Sequence, residues 1–286
     1  MKKLLILPLL FLSFLSFAQK FYVGVDGAWM LPVVPEAITE NYNSQSGPTT
    51  NTSTNEAVKG SFTSGFSTGG FLGYVLNENI SFEAGMNYLF ANQYSGSQNY
   101  VSTNSSDNYS NKLKLNLINF YPAIKFSVPN ETITPYIRTG ILYGITSLSN
   151  DETQTHLGSS QPQTIEQTYM LTGNSWGLFT SIGIEKNLNA RFKFFAEWTF
   201  RFQSFSPKKE TLTRHLTNGA DDLSSMPLSQ TETDFVDSYT NSGTSDPTKP
   251  QQALGFARTF NSMGLQAGII YVIGGNNFAT KKLDPK

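Results

Sequence analysis

The sequence predicts an all-β chain, an eight-stranded antiparallel transmembrane up-and-down β-barrel with long external loops and short periplasmic turns. Three observations predict it. Eight segments alternate apolar and polar residues at the period of two that places side chains on opposite faces of a strand. The connections between them alternate strictly between tight and long. Within most segments the bulky apolar residues share one parity, and the glycines and charges share the other.

The opening stretch, "MKKLLILPLLFLSFLSFAQ", carries Lys2 and Lys3, then an apolar run from Leu4 to Phe17. Ser16 and Ala18 place small residues where a secretory signal is cut, before Gln19. The run is shorter than the ~20 residues a spanning helix needs. The expected organisation is therefore a signal peptide over 1–18, a barrel over 19–274 and a short C-terminal tail over 275–286.

The predicted strands cover about 20–32, 62–76, 80–94, 112–128, 133–147, 172–186, 190–205 and 256–273. Three connections are tight and made of turn formers: "NEN" at 77–79, "PNET" at 129–132 and "NLN" at 187–189. The other four, at about 33–61, 95–111, 148–171 and 206–255, are long and polar. In an antiparallel meander this puts every long connection at one end. Transmembrane barrels show that asymmetry, whereas a soluble sandwich has no reason for it.

Periodicity separates two faces but does not say which one meets lipid. The charges decide. Asp26, Glu83, Glu185 and Glu197 share the inner parity with Lys125, Arg138, Lys193 and Arg201. Four acids against four bases permit full pairing inside a narrow barrel. Turned outward, each Arg or Lys at mid-membrane would cost about 2–4 kcal/mol. The opposite parity then faces lipid, with Trp29, Tyr88, Phe192, Phe194, Trp198, Phe200 and Tyr271 as its aromatic groups. The inner set is rich in glycine, as a barrel this small requires. "LKLNLINFYPAIKFSVP" has large groups on both parities. There Ile118, Phe120, Ile124 and Phe126 are placed outward, and a bulge or register change is expected at Pro122, which lacks a ladder N–H.

Composition narrows the function classes. Net charge is −1 over 286 residues, so no basic footprint points to nucleic acid. No cysteine is present, which excludes disulfides, thiolate metal sites and a lipoprotein anchor. Aromatic content of 13% with only 14% charged residues argues against disorder.

"ISFEAGMNYLF" (80–90), "INFYPAIKF" (118–126) and "ITPYIRTGILYG" (133–144) resemble strands of the small outer-membrane β-barrel family, the OmpA-like, OmpX-like and PorT-like group also labelled porin family. Pro135, Tyr136 and Gly140 form its closest local match. The resemblance implies a Gram-negative outer membrane location. Members commonly finish on an aromatic residue, whereas here a tail continues to Lys286.

Material for catalysis is thin. The two histidines fall in the long connections: His156 near Asp151 and Glu152, and His215 near Asp221 and Asp222. Neither set carries a nucleophile motif. "DETQTH" offers oxygen ligands and one histidine at a spacing that fits no metal motif. No cofactor or metal is expected. The expected function is that of a non-enzymatic membrane anchor or structural envelope protein whose external loops serve adhesion or partner binding. The alternatives are a narrow passive solute channel and a secreted soluble β-protein. Expected partners are outer-membrane lipid and lipopolysaccharide, whose phosphates Lys112 and Lys114 could meet, and an extracellular or secretion-system protein. A monomer is expected.

Overall fold

A computed structural model describes residues 20–47, 51–130, 132–158, 161–240 and 246–273. The expected signal peptide and the tail over 275–286 lie outside the described residues. Fourteen strands follow in order: β1 (Lys20–Pro32), β2 (Glu36–Ser46), β3 (Asn51–Gly60), β4 (Gly65–Val75), β5 (Ile80–Val101), β6 (Ser106–Ser127), β7 (Thr134–Leu157), β8 (Gln163–Asn187), β9 (Phe192–Thr217), β10 (Ala220–Asp221), β11 (Glu232–Val236), β12 (Gln251–Leu254), β13 (Arg258–Thr259) and β14 (Ser262–Ile273). Eight of them, β1, β4–β9 and β14, close into a ring of antiparallel neighbours. Closure leaves no sheet edge for lipid to meet, which a spanning sheet requires.

The outward parity is continuous around the ring. Phe66, Trp29, Leu265, Trp198, Ile182, Ile137 and Phe126 are successive cross-strand partners and form one apolar row. All seven side chains are exposed in the isolated chain. On β5 the apolar belt runs from Ile80 to Phe90, which is the 9–11 residues a tilted strand needs to cross the hydrocarbon. The tight turns sit at the other end of the ring from the long connections. The Asn77 side-chain oxygen accepts from the amides of Asn79 and Ile80, and that of Asn189 accepts from Arg191 and Phe192. These are Asx turns, the reason Asn recurs there.

Three expectations need correction. The first concerns the long connections, which are largely strand. β5 and β6 run on as a paired arm from Gln93–Lys114 to Val101–Ser106. β7 and β8 pair out to His156–Gln163, and β8 and β9 to Ile165–Thr217. β2 and β3 pair antiparallel, and β2 runs parallel to the outer part of β5. β9 turns at Asn218 and Gly219, with φ of 51° and 82°, the conformation that favours Asn-Gly in two-residue hairpins. Polar strands have no apolar period, so nothing in the alternation marked them.

The second correction concerns Pro122. The β6–β7 ladder lacks the pairs at Tyr121 and Pro122, yet Phe120 opposite Tyr143 and Ala123 opposite Gly140 keep one register. Pro122 interrupts the ladder without shifting it. The irregularities lie higher, between Phe90 and Gln93 on β5, and at Thr168/Tyr169 and Thr172/Gly173 on the β8–β9 ladder.

The third correction is that two predicted strands start late. β4 begins at Gly65 and β14 at Ser262. Phe62 and Phe260 leave the wall and turn into the mouth of the barrel, where Phe260 stacks on Phe205 with centroids 5.3 Å apart. Phe62, Phe205, Phe260, Met30, Leu89, Leu113, Leu115, Leu117 and Leu148 bury one another there.

Candidate functional site: the lumen and the external sheet

Inward-facing glycines determine how the lumen fills. Gly24 lies opposite Phe71, Gly73 opposite Tyr22, Gly85 opposite Tyr121, Gly140 opposite Phe179, Gly183 opposite Tyr136 and Gly268 opposite Phe195. Each ring lies over its cross-strand glycine. A Cβ at Gly24 would stand 2.2 Å from the Phe71 ring, and one at Gly73 would stand 2.0 Å from Tyr22. Only hydrogen leaves room for that approach. The interior is thus more aromatic than the polar lumen expected from parity. Sequence parity marks the aromatics and the glycines as inward, but which ring meets which glycine depends on which strands are neighbours.

The charged residues occupy the spaces between these rings. Glu83 accepts from the Tyr22 hydroxyl at 2.6 Å and from Arg138 Nη1 at 3.1 Å. Lys125 Nζ lies 3.4 Å from Glu83 and 2.6 Å from Glu185. Lys193 Nζ reaches the other Glu185 oxygen at 3.2 Å. Arg138 Nη2 pairs with Glu197, which also accepts from the Tyr136 hydroxyl at 2.7 Å. The Arg138 guanidinium lies 5.4 Å from the Phe71 centroid and 5.6 Å from that of Phe179, close enough for cation–π attraction. Glu83, Lys125, Arg138, Glu185 and Glu197 are all at most 5% exposed.

Pairing is not complete, contrary to the four-against-four expectation. Asp26 and Arg201 take no part in these ion pairs. Arg201 donates to Asn87 at 3.3 Å, and one Asp26 carboxylate oxygen is buried without a hydrogen-bond partner. Above Arg201 the network becomes neutral. Gln203 donates to Asn119 at 2.7 Å and to Ser175 at 2.8 Å. The cavity lined by Asn87, Arg138, Arg201 and Gln266 measures about 10 Å³, room for roughly one water molecule.

The expected lipid-facing aromatics all carry outward parity. Trp29, Phe192, Phe194 and Trp198 are exposed in the isolated chain. Tyr88, Phe200 and Tyr271 pack against outward neighbours, with ring centroids 4.6 Å from Phe90, 6.3 Å from Trp198 and 5.1 Å from Phe192.

Beyond the mouth, β5–β9 continue as a sheet, extended by β2–β3 on one side and β11–β12 on the other. Within the described residues β3 pairs only with β2, and β12 only with β11, so the sheet ends in two open edges. Its inner face carries Tyr42, Tyr100 and Tyr109, in ring contact at 5.2 and 6.3 Å. That face also carries Glu152 and Glu210. Burial first, and then the Glu152 charge, push the Glu210 carboxyl above its usual range. His156 pairs with Asp107 rather than with Asp151 or Glu152, because register sets Asp107 directly opposite it. His215 pairs with Asp222 and not with Asp221. That bond, with a Thr217 hydroxyl bond, holds the Asp222 carboxyl below its usual range. No cluster of metal-ligating side chains occurs among the described residues.

A family model described as "Outer membrane protein beta-barrel domain" matches residues 9–225. Among solved structures, the chain is similar to Neisserial surface protein A, at 13% identity and a TM-score of 0.37, covering 88% of this chain and 96% of that one. It is also similar to Ail, the attachment invasion locus protein of Yersinia pestis, at 9% identity and a TM-score of 0.32, covering 89% and 97%. No curated protein matches.

Proposed function

Because the chain belongs to the outer membrane protein beta-barrel domain family, we propose that it is a non-catalytic membrane anchor whose barrel holds a β-sheet out from the cell for adhesion or partner binding. Membership places it in the outer membrane and against the secreted, soluble alternative. The observation that carries the reading is the filled lumen. Rings over glycines, an ion-paired layer and an aromatic mouth fill the lumen among the described residues, which supports a barrel closed to solutes. The external sheet supports the second half of the reading. Open strand edges accept an added strand, and exposed tyrosines are favoured contact residues. The two histidines are each bonded to an aspartate, and among the described residues neither pair is joined to a nucleophile through the histidine.

The test is planar-bilayer recording of purified protein whose folding is shown by a mobility difference between boiled and unboiled samples. Inserted wild-type protein passes no discrete current steps, and removal of residues 95–111 abolishes cell or matrix binding while the folded band remains. Reproducible unitary conductance would favour the narrow channel. Undiminished binding after the deletion would remove that arm from the binding surface.

A further inference from the structure

Two outward cations of β9 are neutralised within the chain. Lys209 lies 2.8 Å from Glu232 and Arg214 lies 2.7 Å from Glu166. Lys112 and Lys114 make none of the ion pairs among the described residues. Asp151 stands directly opposite Lys112 in the ladder, yet its carboxylate accepts from Thr168 at 2.8 Å. The strand partners of Lys114 are Gln93 and Ser149, both uncharged. Both lysines are exposed and alternate to the same, outward face.

Their height decides what they meet. Phe90, Ile118 and Ile145 close the continuous outward apolar belt on β5, β6 and β7, and Tyr88 donates to Asn116 just above them at 3.1 Å. Lys114 is four residues past Ile118, about 13 Å along the strand and on the order of 9 Å along the membrane normal at a tilt near 45°. Headgroups occupy roughly the first 5–8 Å outside the hydrocarbon. A lysine stem bends back that far to place its ammonium among them. Lys112 follows two residues on, about 7 Å farther along the strand, so the pair can hold two phosphates or two oxygens of extended headgroups.

We propose that Lys112 and Lys114 form a binding site for the phosphates of outer-leaflet glycolipid headgroups. The occupant is a lipid rather than a soluble anion, because the same face continues downward without interruption into the acyl-chain belt. Residues two strands away need no part in it. Among the described residues no ion pair reaches these lysines, and the bilayer supplies their counter-charge.

The test compares the temperature at which the folded, unboiled gel band disappears, in detergent with added bisphosphorylated lipid A, the same lipid dephosphorylated, or inorganic phosphate alone. Bisphosphorylated lipid A raises the midpoint of the wild-type protein, and the other two additives leave it unchanged. Lys112→Gln with Lys114→Gln removes the rise. Lys209→Gln, at a neutralised cation, keeps it. The double variant still shows a folded band without lipid, since both side chains are exposed. An equal rise in the double variant, or an equal effect of the dephosphorylated lipid, overturns the proposal. So does an equal effect of inorganic phosphate, which would make the pair a general anion site.

Discussion

Arg138 joins two buried acids, bonding Glu83 through Nη1 and Glu197 through Nη2, and Glu83 has Lys125 as a second counter-charge. Removing one partner of such a group leaves uncompensated charge, which costs about 3–5 kcal/mol. Arg138→Met should lower the stability of the folded barrel by that order in urea titrations followed by gel mobility. Replacing Glu83 and Glu197 by glutamine in the same chain should recover most of the loss. A single variant as stable as wild type would mean the layer is not an ion-paired unit. Glu210 makes a second residue-scale case. Its carboxyl is held above the ordinary value near 4.3 by burial and by Glu152. A carboxyl raised on folding stabilises the folded arm most when protonated. That contribution is full below the unfolded value and is lost as pH rises through the folded one. Carbon-13 titration of the Glu210 carboxyl should show a raised midpoint that falls in Glu152→Gln. An ordinary midpoint in wild type would contradict the burial seen here.

Element by element, the membrane-spanning half of each strand was legible and the external half was not. Where one face meets hydrocarbon, parity is enforced by a cost of kilocalories per misplaced charge, and Ile137, Ile141 and Ile145 on β7 record it directly. Where both faces are solvated, "STNSSDNYSN" meets no such constraint, and only ladder pairing reveals the arm. The bulge after Phe90 added a second obstacle. It turns Tyr94 inward, although its parity in sequence matches the outward Phe90. The Asn218-Gly219 pair is a hairpin signal within the long connection. The lumen was half legible. Its charges were found from parity, while the ring-over-glycine pairs required knowing which strands are neighbours. Paired arms make a measurable difference. Hydrogen–deuterium exchange should show amides of 95–101 and 106–111 protected for minutes or longer, with 102–105 exchanging at once. Uniform immediate exchange over 95–111 would restore the free-loop description.

For the whole molecule, the barrel and the external sheet divide the work. The lower part is fixed by lipid outside and by rings and ion pairs inside; the upper part is fixed by backbone pairing and remains open at two edges. Both depend on the aromatic parity facing hydrocarbon. The three tryptophans, Trp29, Trp176 and Trp198, all lie on that parity and are 58%, 60% and 45% exposed in the isolated chain. Tryptophan emission in vesicles of lipids brominated along the acyl chain therefore tests it on the unmodified protein. Strong quenching by the brominated chains with little quenching by aqueous acrylamide is the expected result. Emission insensitive to brominated lipid but quenched by acrylamide would show that the faces are reversed.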